Sequence, residues 1–306
     1  MNSTTRLGFI GLGAMGKPMT ARLVAAGFTL SVHDADAART ASVAKTLGAR
    51  AGTSPKDAAA ASDILITMLP SSAVVTAVLE GPDGALAGLA AGTLIVEMSS
   101  GVPDVTRALS EKIAGQGVAM IDAPVSGGVS RATNGELAIM AGGNAGAIDR
   151  AEPVLKAMGS SIIRTGPIGS AHAMKALNNL VSAGCFLIGI EALLIGQRFG
   201  LDPALMVDVL NVSTGMNNAT QKKFKQFVLS RKFDAGFGLD LMVKDLGIAL
   251  GVATATSTPA PFAGLCKDIW AAAQKYLGPG QDHTAVAKFS ELVAGSTLGG
   301  DDADGK

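Results

Sequence analysis

The sequence predicts an α/β first half, a mostly parallel sheet covered by helices on both faces, joined by a long helix to an all-helical second half. Three observations carry this. Short apolar runs alternate with helical patterns from Leu7 to Arg164, and strand–helix units of that length close as parallel pairs with crossover helices. Beyond Thr165 the strand-like runs cease and helical periodicity continues to Val293. The first apolar run, ending at Ile10, enters Gly11-Leu12-Gly13-Ala14-Met15-Gly16, a G-x-G-x-x-G turn that opens a helix.

Each glycine of that turn has a physical task. Gly11 lets the chain leave the strand sharply, Gly13 lets a pyrophosphate approach the backbone, and Gly16 lets the helix pack close to the strand. The free N–H groups and positive dipole end of the helix suit phosphate. Thr29 to His33 reads as the second strand and ends at Asp34, 18 residues past Gly16. That is about where a dinucleotide fold wants a carboxylate for the ribose hydroxyls. The other reading is that Asp34 caps a helix starting near Asp36. A 2′-phosphate would be repelled by Asp34, and no Arg or Lys follows before Arg39, so NAD is favoured over NADP.

The remaining elements follow in order. Ser54-Pro55 is an N-cap followed by Pro at the first helical position. Strands are expected at Asp63–Met68, Thr93–Glu97, Ala119–Ile121, Leu137–Ala141 and Ser161–Arg164. Helices are expected at Ser71–Leu79, Pro103–Ala114 and Gly146–Met158. A long helix runs from Gly169 to Arg198 with Gly200 placed to end it, and Asp202-Pro203 starts the next. Helical patterns continue over Thr220–Leu229, Asp240–Ala255, Pro261–Lys275 and His283–Val293. The expected organisation is a dinucleotide-binding domain over 1–165, a helical substrate and oligomerisation domain over 166–298, and a disordered polar tail over 299–306. In parallel sheets ligands sit at the carboxyl ends of the strands. The loops there are Gly11–Gly16, Met68-Leu69-Pro70, Ser99-Ser100 and Ala123–Gly128.

Composition narrows the class. With 25 basic and 25 acidic residues and no basic cluster, nothing suggests nucleic acid or an anionic membrane as partner. Leu180–Gly196 is apolar over 17 residues but contains Glu191; a buried helix is expected rather than a span. Met1–Arg6 lacks the pattern of a signal peptide. Cys185 and Cys266 match no metal spacing and read as free thiols of a reducing compartment, so a cytoplasmic protein is expected. Three histidines, none at ligand spacing, argue against a metal-dependent mechanism.

Two further segments carry chemistry. Asp122-Ala123-Pro124-Val125-Ser126-Gly127-Gly128 leaves a strand for a turn whose N–H groups and hydroxyl suit a small carboxylate; an ordinary tight turn is the alternative. Lys175, Asn178 and Asn179 share one face of the long helix. A lysine there could act as acid or base if burial and a nearby cation, such as an oxidised nicotinamide, lowered its pKa from ~10.4 by about 3 units, or ~4 kcal/mol. His172, one turn earlier, is the rival base. Lys244-Asp245-Leu246 by itself reads as a surface pair.

Together these segments resemble the β-hydroxyacid dehydrogenase family, of 3-hydroxyisobutyrate dehydrogenase type, from Leu7 to about Glu291. Gly8–Gly16 resembles its N-terminal signature, Met68-Leu69-Pro70 its cofactor loop and Asp122–Gly128 its substrate signature. Gly169 through Lys175 to Asn179 resembles its catalytic helix, and Lys244-Asp245-Leu246 its C-terminal K-D-L. The resemblance implies a Rossmann-type domain, a long linking helix and a homodimer or homotetramer. It implies Lys175 as catalytic acid/base, Ser126, Gly127 and Gly128 on the substrate carboxylate, and Asn179 orienting substrate. Ser100 would lie near the nicotinamide ribose and Lys244 near cofactor and substrate. The expected reaction is NAD-dependent oxidation of a small β-hydroxyacid to its semialdehyde, hydride leaving as Lys175 takes the hydroxyl proton. Alternatives are reduction of a tartronate semialdehyde, glyoxylate or sulfolactaldehyde type of substrate, or a non-catalytic NAD(P)-sensing protein. Specificity candidates, by position, are Arg131, Met216, Phe237 and Asp240; Arg131 could read a second acidic group.

Overall fold

A computed structural model describes residues 5–60 and 62–299. The chain divides into two compact units, Met1–Lys175 and Ala176–Lys306. The expected disordered tail lies, from residue 300 onward, outside the described residues.

Among the described residues the first unit holds nine strands: β1 (Arg6–Ile10), β2 (Thr29–His33), β3 (Arg50–Ala51), β4 (Ile64–Thr67), β5 (Leu94–Glu97), β6 (Ala119–Asp122), β7 (Val125–Ser126), β8 (Leu137–Gly142) and β9 (Gly159–Gly166). Its helices are α1 (Gly16–Ala25), α2 (Ala37–Leu47), α3 (Pro55–Ala59), α4 (Ser72–Glu80), α5 (Pro103–Ala114), α6 (Gly128–Asn134) and α7 (Ala145–Met158). The strand order is β3-β2-β1-β4-β5-β6-β8-β7, with β9 beside β8. β1 to β6 pair in parallel. The order reverses between β1 and β4, which is the switch point of a dinucleotide-binding sheet.

Alternation along the strands builds two cores. Leu7 and Phe9, Ile64 and Ile66, and Leu94 and Val96 pack into one cluster. Ile10, Leu65 and Ile95, the alternate positions, pack into another. Successive side chains of a strand point to opposite faces, so each central strand is apolar throughout.

Several elements depart from the sequence reading. β6 and β7 pair antiparallel with β8, although β8 and β9 are parallel. The link after β6 is spent on the two-residue β7 and the short α6, so the chain turns back instead of crossing over. β3, β7 and α6 are too short for periodicity to reveal. The expected helix Thr220–Leu229 is two pieces, Asn218–Lys222 and a π-helical stretch Phe224–Leu229; an i, i+4 apolar pair reads as helical in either form. The N-cap of the first piece is Asn217, in a full capping box with Thr220.

The long helix α8 runs without interruption from Ser170 to Phe199, and Gly200, at φ +99°, ends it. It is followed by α9 (Pro203–Asn211), α10 (the Asn218–Lys222 piece), α11 (Leu239–Ala255), α12 (Pro261–Leu277) and α13 (Val286–Ala294). By length and hydropathy α8 could cross a membrane, yet its middle is the core of the second unit. Ala183, Phe186, Leu187, Ile190 and Leu193 are buried with Phe224 and Trp270. Phe186 stacks at 5.3 Å on Phe224 and at 6.1 Å on Trp270, and Gly189 leaves the room Phe224 needs, since a Cβ there would lie 2.5 Å from its ring. Phe186→Ala is therefore expected to destabilise the helical unit by about 3–5 kcal/mol, read as a lowered denaturant midpoint; a change under ~1 kcal/mol would show the cluster repacks.

Candidate active site

The glycine turn has the shape its sequence implies. Gly11 sits at φ +101°, and a Cβ there would lie 2.2 Å from the Met68 carbonyl oxygen. A Cβ on Gly16 would lie 1.8 Å from the Gly11 carbonyl oxygen, so helix α1 can start here only on glycine. Above Gly13 nothing lies within 4 Å of the added Cβ. Gly13 and Ala14 are exposed, Met15 is half-buried and Leu12 is buried. An open backbone at the start of a ten-residue helix, at the switch point, fits the pyrophosphate of NAD.

Asp34 is joined to this turn directly. Its Oδ2 accepts from the Leu12 N–H at 2.7 Å and its Oδ1 from the Asp36 N–H at 2.9 Å. Arg39 completes its shell at 3.0 Å. The cap of α2 is Asp36, which accepts from the Arg39 N–H, so the capping reading of Asp34 falls. Burial works against the Asp34 charge, but the two N–H groups and Arg39 outweigh it and hold its pKa below the ordinary carboxylate value.

The carboxyl ends of β4, β5 and β6 are stitched to the start of α8. No side chain within α8 caps its first turn; Asp122, at the end of β6, does so from across the fold. Its two oxygens accept from Gly169 N–H and His172 N–H, each at 2.8 Å. That supplies orphan donors of the helix with an acceptor and its positive end with a negative charge. Burial nonetheless keeps the Asp122 pKa above its ordinary value.

His172 itself is enclosed. Its Nε2 lies 2.8 Å from Glu97 Oε2, an ion pair short of hydrogen-bond alignment, and its Nδ1 lies 2.9 Å from the Thr106 hydroxyl. Glu97 thus faces Nε2 and the Thr106 hydroxyl, which also lies within reach of the Val102 carbonyl, faces Nδ1. Burial opposes that charge, yet Glu97 and then Asp122 prevail and raise the His172 pKa. Burial likewise opposes the Glu97 charge, and His172 and the Ser99 contacts more than offset it. Gly101 makes room for the ring, because a Cβ there would come 2.6 Å from His172 Cε1. Glu97 Oε1 accepts from Ser99 N–H at 2.8 Å, and Ser99 Oγ accepts from Leu69 N–H at 2.8 Å. The Met68-Leu69-Pro70 and Ser99-Ser100 loops are thereby joined by hydrogen bonds to Glu97, and through its ion pair with His172 to the first turn of α8.

The remaining chemistry-bearing side chains lie in each unit as follows. Lys175 is buried, one turn beyond His172 on α8. Of the two candidate bases, His172 is the enclosed one, with Glu97 and Thr106 at its ring nitrogens and its side chain buried. Ser126 is half-buried at the end of β7, and Gly127 and Gly128, at φ +132° and +67°, are exposed at the start of α6. In the second unit, Asn179 Nδ2 donates to Asp245 Oδ2 at 2.6 Å, and Lys244 Nζ pairs with Asp245 Oδ1 at 3.1 Å. Asp245 is buried, so the K-D-L segment is a built contact that fixes the Asn179 amide. A hollow of about 290 Å³ in the second unit, lined by Glu191, Leu194, Ile195, Ile269, Phe289 and Val293, contains none of these residues.

Glu97 and Thr106 were not singled out by the sequence reading, and Asp122 only as the start of a loop. The available signal was an acidic residue ending a wholly apolar strand, Leu-Ile-Val-Glu and Met-Ile-Asp.

Residues 6–166 match the family model of the NAD-binding domain of 6-phosphogluconate dehydrogenase, and 169–290 that of the NAD-binding region of NADP-dependent 3-hydroxyisobutyrate dehydrogenase. The chain is 38% identical to 2-(hydroxymethyl)glutarate dehydrogenase of Eubacterium barkeri, over 98% of this chain and 99% of that protein. It is 34% identical to the NAD-dependent L-serine dehydrogenase of Pseudomonas aeruginosa, over 95% and 99%. The structure of Mycobacterium tuberculosis 3-hydroxyisobutyrate dehydrogenase with L-serine superposes with a TM-score of 0.87 at 33% identity, over 94% of this chain and 99% of that one.

The His172 network gives a stability test with a defined sign. The raised His172 pKa contributes stability below the ordinary histidine value that is lost as pH rises through the folded value. The lowered Glu97 pKa contributes stability above the ordinary glutamate value that is lost as pH falls through the folded one. At neutral pH His172→Ala is expected to cost about 3–5 kcal/mol, because it strands the buried Glu97 charge. Adding Glu97→Gln should recover part of that loss. If the double variant were no more stable than the single one in denaturant titration, the cost would lie in packing and not in charge.

Proposed function

We propose that this chain, which belongs to the β-hydroxyacid dehydrogenase family, oxidises a 2-substituted 3-hydroxypropanoate to its semialdehyde with Lys175 as general acid/base. Its membership makes it an NAD-dependent oxidoreductase acting on a hydroxyacid. The substituent pattern comes from its relatives. Hydroxyisobutyrate, serine and hydroxymethylglutarate are all HO–CH₂–CH(R)–COO⁻, with R a methyl, an ammonium or a propanoate arm.

The observation that carries the reading is a buried lysine, 8% exposed, one turn past a helix start that is locked to the cofactor-side loops by Asp122 and Glu97. Ser126, Gly127 and Gly128 receive the substrate carboxylate through a hydroxyl and backbone N–H groups. Lys175 takes the alcohol proton as the carbinol carbon is oxidised, and returns it when the reaction runs as a reduction. Asn179, one turn further along α8 with its amide held by Asp245, orients the hydroxyl. Lys244, held against the same Asp245, carries the cationic contact to cofactor and substrate. Gly11 to Gly16, Met68 to Pro70 and Ser100 cradle the dinucleotide, and Asp34 reads the adenosine ribose. Bound NAD⁺ supplies the acceptor for the hydride. Rigid placement of Lys175 means little reorganisation is needed as the bond breaks.

We assign the helical part of the chain, 166–298, to substrate contact and to assembly of a homodimer or homotetramer. Val181, Ile188 and Ile195 recur every seven residues along α8 and are 66%, 56% and 70% exposed, a spacing that keeps them on one stripe. We place the protein in the cytoplasm, in keeping with free Cys185 and Cys266.

Lys175→Ala is expected to lower kcat by about 10²–10⁴-fold while NAD⁺ binding is retained, measured as NADH formation and as cofactor quenching of Trp270 fluorescence. Activity within a few-fold of the unaltered enzyme would sink the assignment. Asp34→Ser leaves Arg39 without its carboxylate beside the ribose site. The ratio of kcat/KM for NADP⁺ over NAD⁺ should then rise roughly ten- to a hundredfold; an unchanged ratio would remove Asp34 from ribose recognition.

A further inference from the structure

We infer that Arg131 reads a second acid group on the substrate, so that the preferred R substituent is anionic and the enzyme favours a hydroxy-dicarboxylate. This rests on the reading of Ser126–Gly128 as the carboxylate clamp.

Arg131 is an exposed arginine beside the turn. Arg6, Arg39, Arg50, Arg107, Arg164 and Arg231 each face a carboxylate within ion-pair distance, and Arg150 and Arg198 bond backbone carbonyls. Among the described residues the Arg131 guanidinium makes no ion pair and no hydrogen bond. Its stem is nevertheless placed. A Cβ built on Gly127 would lie 2.5 Å from Arg131 Cδ and 2.8 Å from its Cβ. The aliphatic part of Arg131 therefore fills the space over Gly127 that any other residue would claim for its own side chain. Gly127 is held at φ +132°, so the turn is glycine both for its backbone and for the arginine that crosses it. Arg131 sits on α6, whose next residue, Ala132, is buried against the sheet core, and this fixes where the stem begins.

The consequence is chemical. In HO–CH₂–CH(R)–COO⁻ the R group branches from the carbon that bears the carboxylate. With that carboxylate on the Ser126–Gly128 turn, R branches from the adjacent carbon, and Arg131, whose stem packs over Gly127, is the cation nearest the clamp in sequence. A planar guanidinium matches a carboxylate in two parallel hydrogen bonds. It has nothing to offer a methyl group and repels an ammonium. Arg131 thus selects among the three R groups: an acid is drawn in, a methyl is accepted, and the ammonium of serine is disfavoured. Packing of the stem against Gly127 reduces the freedom lost on binding.

The test is kcat/KM with NAD⁺ for 2-(hydroxymethyl)glutarate, 3-hydroxyisobutyrate and L-serine, in the unaltered enzyme and in Arg131→Leu and Arg131→Lys. Each ratio of substrates is taken within one protein, so a partly unfolded variant does not distort it. The expected result is a preference for the dicarboxylate that falls roughly ten- to a hundredfold in Arg131→Leu, with Arg131→Lys between, since lysine keeps the charge and loses the fork. Relative turnover of L-serine should rise in Arg131→Leu. If the unaltered enzyme oxidises 3-hydroxyisobutyrate or serine and the dicarboxylate no better, the inference fails and the 3-hydroxypropanoate reading stands. A dicarboxylate preference that Arg131→Leu leaves within twofold overturns the role of Arg131. Turnover of none of the three sinks both readings.

Discussion

The first turn of α8 rests on a carboxylate that the helix does not own. Asp122, at the end of β6, takes the N–H groups of Gly169 and His172, and Glu97, at the end of β5, faces the His172 ring. Everything proposed for Lys175 depends on this anchor. A helix start tied only to solvent would fray within its first turn. Here the start is fixed to the ends of β5 and β6.

Burying that network has a cost, and the arrangement shows how it is met. A lone carboxylate in such a position would titrate upward, as Asp122 does. Burial opposes the charge on both Glu97 and His172, and each offsets that cost for the other, which lowers the Glu97 pKa and raises that of His172. Mutual support of this kind is the condition under which buried charge specifies a structure without undoing it. The same enclosure leaves the His172 ring no open face beside Lys175. Its task is positional.

In the proposed reaction, specificity and catalysis are drawn from different elements. The proposed proton-transfer group is on α8, while the proposed carboxylate clamp and Arg131 lie on the β7–α6 turn. A change at Arg131 can therefore alter which acid is oxidised without touching the anchor of Lys175.

The glycine turn, the alternation of strands and helices, the caps at Ser54, Asp202 and Gly200, and the Gly169–Asn179 segment were all legible in the sequence. Each is a local signal, fixed by backbone geometry or by a period within one element. Asp34 was legible as a position but not as a set of contacts. Only the fold shows that it holds Leu12, Asp36 and Arg39 while Asp36 does the capping. The partnership of Glu97, Asp122, Thr106 and His172 was not legible, because residues up to 75 apart in sequence meet only when two strand ends and two helices converge. The Gly127–Arg131 contact lies within five residues and still escaped, since it depends on a positive φ that no periodicity encodes. Sequence alone determined where the chain turns and which face each element buries. Tertiary structure decided which polar groups share a proton, because that depends on distances between elements that the chain order does not contain.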